Sequence, residues 1–148
     1  MEKSGEVQAR YLPDGVNRAR ALIWIEHNDQ LVAVAALKKP LNSYRAGVFT
    51  KTSAALPADA FPLELGYVYV DLSHRNKGYG STLVTKIIEA FPQEGIFATT
   101  RIDNDQMQKL LCRSGFSVLG KDYPSAEIST RLLRLFGRTP ERKPQQSA

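Results

Sequence analysis

Two glycines separated by one residue, Gly78 and Gly80, carry the clearest chemical signal in the sequence. They lie in the segment RNKGYGSTL, where Arg75 and Lys77 add two positive charges. The apolar run LELGYVYV before this segment predicts a strand, and apolar residues recur after it at helical spacing. Glycine lets a ligand approach the backbone closely, and the first N–H groups of a helix have no partner within the helix. This junction between strand and helix is therefore predicted to bind phosphate.

The two common glycine motifs for nucleotides do not describe this segment. A Walker loop requires Gly-Lys-Ser/Thr after a longer glycine loop, and no such run occurs. The dinucleotide fingerprint requires a third glycine at position 83, which is Leu83 here, and it belongs near the start of the chain. A glycine-rich turn with incidental surface charges is the structural alternative.

The elements around the junction predict a βαβ unit. The first strand covers residues 63–70 and is apolar on both faces, as a central strand should be. The helix that follows has five apolar residues at helical spacing and ends before Pro92. Residues 95–101, GIFATTR, predict the next strand. A strand, a helix and a strand in this order place the two strands parallel in one sheet.

The rest of the chain adds a hairpin, two helices and two strands. Residues 21–40 predict two strands joined by a turn at HNDQ. The stretch YRAGVFTKTSAAL is interpreted as a short helix. A further helix is capped by Asp103 or Asn104 and ends at Gly115. FSVLGKDY and TRLLRLFG predict two more strands, antiparallel and near the sheet edge. The total is about six strands and two or three helices, which is a mixed α/β sheet.

Length and composition predict one globular domain. The 148 residues carry a net charge of +5, which favours an anionic partner such as nucleic acid or a phosphorylated cofactor. The domain is predicted to cover residues 1–137, with a poorly patterned segment at 1–18 and a disordered tail at 138–148. Neither a membrane span nor a secretory signal is predicted, so we expect a cytoplasmic protein. The single Cys112 excludes a cysteine-cluster metal site, and no metal is expected.

The glycine segment resembles a known family signature. VDLSHRNKGYGSTLV is similar to the acetyl-CoA motif of the GCN5-related N-acetyltransferases (GNAT), Arg/Gln-x-x-Gly-x-Gly/Ala. Arg75, Gly78 and Gly80 stand in its three defined positions.

A second motif extends the resemblance. NDQMQKLLCRSGF is similar to the next GNAT motif, a helix opened by Asn and ended by Gly-Phe. The resemblance covers residues 62–120 well and the hairpin loosely, while the family's first strand and first pair of helices are poorly represented. It implies a mixed, mostly antiparallel sheet with flanking helices and a parallel pair of strands that splay apart.

The resemblance also implies which residues bind acetyl-CoA. Backbone amides of the glycine loop would cradle the pyrophosphate, and the backbone of strand 63–70 would pair with the pantetheine arm. Asn104 would meet the pantetheine or acetyl end of that arm, or it is only a helix cap. The implied cofactor-binding residues are Val68, Val70, Arg75, Asn76, Lys77, Gly78, Tyr79, Gly80, Ser81 and Asn104.

Attack on the acetyl group requires a neutral amine, so a base or a water chain should take its proton. Glu64 is the candidate base, because desolvation at the start of an apolar strand would raise its pKa. A solvated carboxylate at the strand end is the alternative. By strict alternation, Tyr67 and Tyr69 lie on the opposite face of the strand and are interpreted as core or substrate-wall residues.

One position departs from the family pattern. Many members carry a tyrosine seven residues after the helix-opening Asn, as the acid that protonates the leaving thiolate, and here that position is Leu111. Cys112, Ser114 and Tyr123 are candidate substitutes. The departure favours a cofactor-binding protein with weak or lost catalysis, although a thiolate can leave without a dedicated acid.

The resulting hypothesis is an N-acetyltransferase that moves an acetyl group from acetyl-CoA directly to a primary amine. The acceptor is a small molecule, a protein or an aminoacyl-tRNA, and homodimers are common in such proteins. The alternatives are a catalytically weak or inactive module that binds CoA or RNA, and a toxin that acetylates aminoacyl-tRNA.

Overall fold

The computed structural model describes residues 19–140 of the chain. The predicted hairpin is present: β1 (Ala19–His27) pairs antiparallel with β2 (Gln30–Lys38). Its two turn residues, Asn28 and Asp29, have φ of 52° and 62°. A tight hairpin turn that follows the strand twist requires positive φ at both positions, and Asn and Asp tolerate it.

The predicted βαβ unit is also present. After helix α1 (Asn42–Thr52), strand β3 (Leu63–Val70) leads into helix α2 (Tyr79–Ala90) and strand β4 (Ile96–Arg101). β3 and β4 pair in parallel, as predicted. Two short 3₁₀ helices flank β3, at Ala58–Ala60 and Leu72–His74.

The remaining elements are one helix and three strands. They are α3 (Asp105–Arg113), β5 (Ser117–Val118), β6 (Tyr123–Pro124) and β7 (Leu132–Arg138). β5 and β6 both pair antiparallel with β7.

The single strand predicted over FSVLGKDY is wrong, because the chain leaves the sheet between β5 and β6. Gly120 has φ of 77°, and a Cβ there would lie 2.2 Å from the carbonyl oxygen of Thr52. The same carbonyl accepts a hydrogen bond from the N–H of Lys121 at 2.8 Å. This close approach to the end of α1 requires glycine and interrupts the strand.

Within residues 19–140, seven strands form one sheet in the order β1-β2-β3-β4-β7-β5, and β6 adds to β7. All strand pairs are antiparallel except β3 and β4. The predicted fold class, a mixed and mostly antiparallel sheet with flanking helices, is therefore confirmed, with seven strands rather than about six.

Helices cover both faces of the sheet. α2 and α3 pack against the first face, which we call the α2 face, through an apolar cluster that includes Leu83, Val84 and Leu111. α1 packs against the other face, the α1 face, where the Phe49 ring lies 5.5 Å from that of Phe97 on β4. This second cluster contains Val48, Phe49, Phe61, Phe97, Leu119, Tyr123 and Leu135.

Two sequence predictions concern the ends of the chain. The segment 1–18 and residues 141–148 of the predicted tail lie outside the described residues. β7 continues through Arg138. None of the helices between residues 19 and 140 combines the length and the apolar character needed to cross a membrane.

Candidate active site

The parallel strands β3 and β4 separate shortly after they begin. Their register contains only two pairs, Leu63 with Ile96 and Glu64 with Phe97. In contrast, β2 pairs with β3 as far as Val70, and β4 pairs with β7 along its whole length. The two central strands therefore diverge toward their carboxyl ends and leave a gap in the sheet.

A bulge in β3 lies beside this gap. Ala36 of β2 pairs with Gly66, and Val34 pairs with Tyr69. β2 advances by two residues where β3 advances by three, so β3 carries one extra residue. Such a bulge bends the strand and reverses which residues face each side of the sheet.

The bulge overturns the predicted placement of Tyr69. Leu65, before the bulge, and Val68 and Val70, after it, all pack against the cluster on the α2 face. Tyr69 therefore faces the α1 side, the same side as Glu64, and not the opposite one. Strict alternation fails here because the extra residue shifts the pattern by one position.

A cavity of about 480 Å³ lies between the end of β3, the glycine loop and α3. Nine of the ten predicted cofactor-binding residues line it, and Lys77 does not. Lys77 lies on the same loop but is exposed. The nine residues are Val68, Val70, Arg75, Asn76, Gly78, Tyr79, Gly80, Ser81 and Asn104.

The glycine loop presents its backbone to the cavity. Asn76 and Gly78 have φ of 63° and 81°, so the loop contains two left-handed residues. Gly78 is the N-cap of α2, and as a glycine it provides no side-chain cap for the first turn. The N–H groups of that turn, at the positive end of the helix dipole, remain available to an anion.

Basic side chains add to the positive electrostatic potential of the cavity. Arg75, Lys109 and Arg113 line the cavity, and none of the lining residues between positions 19 and 140 is acidic. The Nε of Arg75 donates a hydrogen bond to the carbonyl of Val70 at 2.8 Å, which ties the loop to the end of β3. The cavity therefore has the charge and the backbone geometry of an anion site.

Asn104 has the structural role that the sequence left open. Its Oδ1 accepts a hydrogen bond from the N–H of Met107 at 3.1 Å, so it caps α3. Asn104 also lines the cavity. Its position allows both predicted roles.

Six of the lining residues were not among the predicted cofactor-binding residues. Four of them, Gln106, Lys109, Leu110 and Arg113, recur at intervals of three or four along α3 and so share one helix face. That spacing is a signal that could have been used. The six residues are His74, Gln106, Met107, Lys109, Leu110 and Arg113.

Glu64 lies on the α1 face, where the gap begins, and does not line the cavity. It is only 5% exposed. The hydroxyl of Tyr44 donates to its Oε2 at 3.0 Å, and the Nζ of Lys38 lies 3.6 Å from its Oε1. Burial raises the pKa of Glu64 above its ordinary 4.5, although Lys38 and Tyr44 act in the opposite direction. The structure thus excludes the solvated strand-end carboxylate.

Two further polar residues complete this group, which we call the Glu64 cluster: Lys38, Tyr44, Glu64, Thr99 and Tyr123. Thr99 of β4 lies beside the hydroxyl groups of both tyrosines. Tyr123 is 4% exposed, and burial raises its pKa to about 12. These residues come from four strands and one helix, so no local sequence pattern could have identified the group.

The structure distinguishes the three candidate substitutes for the missing tyrosine. Leu111 itself is fully buried. Cys112 is exposed, and the hydroxyl of Ser114 donates to the carbonyl of Leu110 at 2.8 Å. Neither lines the cavity. Tyr123 is the candidate that lies in the Glu64 cluster.

Comparison with known proteins identifies the family. Residues 2–116 match the sequence model of the Acetyltransferase (GNAT) family, and the chain belongs to this family. The match begins well before residue 62, so it extends beyond the two motifs into the hairpin and the segment before it. No curated protein matches the sequence.

Solved structures with the same fold are numerous. A GNAT-family acetyltransferase from Streptococcus agalactiae has a TM-score of 0.69 and 16% identity, and the alignment covers 96% of this chain and 77% of that one. A Bacillus subtilis acetyltransferase in complex with CoA has a TM-score of 0.62 and 17% identity, over 90% and 85% of the chains. YncA from Salmonella typhimurium, with its cofactor acetyl-CoA, has a TM-score of 0.61 and 18% identity, over 86% and 68%.

Proposed function

We propose that the protein transfers an acetyl group from acetyl-CoA directly to a primary amine. The observation that carries this proposal is the meeting of the anion-binding cavity and the gap between β3 and β4. Val68 and Val70 belong to both features. A ligand with a phosphate end and a long polar arm could bind its phosphates at the loop and extend along β3 toward the Glu64 cluster.

The residues of the cavity fit acetyl-CoA. Amides of residues 76–81 and the positive end of α2 would hold the pyrophosphate, with Arg75 beside them. Lys109 and Arg113, which also line the cavity, would contact the remaining phosphate of CoA. Two neighbours of the same fold were solved with CoA or acetyl-CoA, which supports this choice of cosubstrate.

The gap fits the pantetheine arm. Beyond Glu64, β3 has no backbone pairing with β4. The N–H and C=O groups of β3 that point into the gap can therefore pair with the amides of the arm. When bound, acetyl-CoA supplies an activated thioester. Backbone N–H groups of β3 that face the gap would stabilise the oxyanion that develops during attack.

We assign Glu64 as the general base. An acceptor amine that reaches the thioester on the α1 face would lie beside the carboxylate of Glu64, because Glu64 faces that side where the gap begins. The Tyr44 hydroxyl fixes the orientation of the carboxylate. Burial raises the pKa of Glu64, and a base with a raised pKa removes a proton from an ammonium group more readily.

The test of this function is release of CoA thiol in the presence of candidate amines. The panel contains small diamines and amino acids, peptides with free N-termini or lysines, and aminoacyl-tRNA. Thiol release that depends on one class, together with acetylated product in the mass spectrum, supports the proposal. Binding of acetyl-CoA without transfer to any class would favour a CoA-binding module, and the absence of binding would refute the assignment.

A further inference from the structure

The side chain of Lys38 lies across β3 at the bulge. A Cβ placed on Gly66 would be 3.0 Å from the Cε and 3.3 Å from the Nζ of Lys38. Lys38 also pairs with Glu64 across β2 and β3. Its side chain is 22% exposed, so most of it is packed against the sheet. Glycine at position 66 thus leaves the space that the lysine occupies.

This position is where an acceptor amine should be. Gly66 lies two residues after Glu64, which forms the last pair between β3 and β4. The Nζ of Lys38 is therefore on the α1 face where the gap opens, and it lies 3.6 Å from the Oε1 of Glu64. A primary amine already stands beside the proposed base and next to the proposed path of the thioester.

We propose that Lys38 is an internal acetyl acceptor, so that the protein acetylates itself when acetyl-CoA is bound. The inference rests on the proposed function, because it uses the same cosubstrate and the same base. Glu64 accepts a proton from the ammonium, and the Nζ lone pair attacks the thioester carbonyl carbon. An N–C bond forms and the C–S bond breaks, and the nitrogen loses its second proton, which the departing CoA thiolate takes up.

Self-acetylation would change the Glu64 cluster. The product amide has no charge, so the ion pair between Lys38 and Glu64 is lost. Glu64 would then be a buried carboxylate without its cationic partner, which favours its protonated form. Acetylation of Lys38 is therefore expected to reduce transfer to external amines at neutral pH.

The experiment is incubation of the full chain with acetyl-CoA and no added amine, followed by intact-mass measurement and peptide mapping. We expect one acetyl group on Lys38, added at a rate per molecule that does not change when the protein is diluted. Lys38→Arg should abolish this acetylation while keeping the charge. Lys39→Arg, at the adjacent exposed position, should leave it unchanged.

Two further measurements, on a Gly80→Glu variant and on acetyl-CoA binding by the native protein, distinguish failure of this inference from failure of the proposed function. Gly80→Glu, which places a carboxylate beside the cavity, measures acetylation that does not need the bound cosubstrate. Acetylation of Lys38 at the native rate in this variant would overturn the inference. A native protein that binds acetyl-CoA by calorimetry but leaves Lys38 unmodified also overturns it, while the proposed function stands. A native protein that binds no acetyl-CoA overturns both.

Discussion

Substitution of Glu64 by glutamine tests the proposed base. Glutamine has nearly the same shape and can still accept the hydrogen bond from Tyr44, but it cannot take a proton from the acceptor. General base catalysis contributes about 10²–10⁴-fold to a rate. Glu64 is 5% exposed, so water does not readily replace it. We expect kcat/KM to fall by about 10²-fold or more.

The pH dependence gives a second readout. The base must be ionised, so native kcat/KM should decline as pH falls through the pKa of Glu64. Because burial raises that pKa, the acidic limb should lie above 4.5. In Glu64→Gln this limb should disappear.

The free energy of unfolding of Glu64→Gln shows whether a loss of activity comes from the missing base or from a damaged fold. A carboxyl whose pKa is raised by folding binds its proton more tightly in the folded state, so its ionised form costs stability at neutral pH. Replacing it with a neutral amide should therefore leave the free energy of unfolding at neutral pH unchanged or increased.

The assay is thiol release across a range of pH, with urea unfolding of the same samples. Glu89→Gln removes an exposed carboxylate from α2 and is the matched control. It should retain the native rate and pH profile. A folded Glu64→Gln protein with native kcat/KM and an unchanged acidic limb would refute the assignment of the base.

Three other substitutions test the loop, the cap and an ion pair. Gly78→Ala should destabilise the fold by about 1–2 kcal/mol in urea unfolding, because φ is 81° there; no loss would contradict the left-handed geometry. Asn104→Ser should keep the helix cap and native stability, so a loss of acetyl-CoA affinity in calorimetry would identify a ligand contact, and unchanged affinity would leave only the cap. The hydrogen-bonded guanidinium of Arg134 lowers the pKa of Asp122 below its ordinary 3.8. This pair therefore stabilises the fold fully above about pH 3.8, and the stabilisation is lost as the pH falls through the lowered pKa. Asp122→Asn should therefore reduce the melting temperature at neutral pH and have little effect in strong acid; an equal reduction at both would contradict this linkage.

The glycine loop could be predicted because its signal is local. Gly78 and Gly80 follow a strand and precede a helix, and the backbone requirements of that junction are expressed within a few residues. The same holds for Asn104, whose capping role depends on a helix that begins at the next residue. The set of ten cofactor-binding residues, nine of which line the cavity, came from the family resemblance and not from this local signal.

The Glu64 cluster could not be assembled from the sequence. Tyr44 reaches Glu64 only because α1 packs on β4 through Phe49 and Phe97. Lys38 reaches it only because of the register between β2 and β3. Both relationships connect segments that are distant in the chain, so no spacing along the sequence expresses them.

Two sequence predictions, the face of Tyr69 and the single strand over FSVLGKDY, were wrong for the same physical reason. The bulge between Gly66 and Tyr69 is defined by pairing with β2, so alternation along β3 alone gave the wrong face for Tyr69. The break at Gly120 is defined by contact with Thr52 at the end of α1. In both places, a contact with another element overrides the local pattern.

The central claim is that the cavity binds acetyl-CoA, and isothermal titration with acetyl-CoA and CoA tests it most directly. The native protein is compared with Gly80→Glu. A Cβ at Gly80 would lie at an ordinary 3.7 Å from side chains of Val70 and Leu110, so the backbone accommodates it. The added carboxylate would stand beside the pyrophosphate, where like charges about 4 Å apart repel by about 1–4 kcal/mol, which weakens binding by roughly fivefold to a thousandfold.

Gly47→Glu is the matched control, because it makes the same change on α1, where a Cβ at Gly47 would have no neighbour within 4 Å. We predict that the native protein and this control bind both ligands and that Gly80→Glu binds them much more weakly. A folded native protein that binds neither ligand, or a Gly80→Glu variant that binds as well as the control, would contradict the assignment of the cavity.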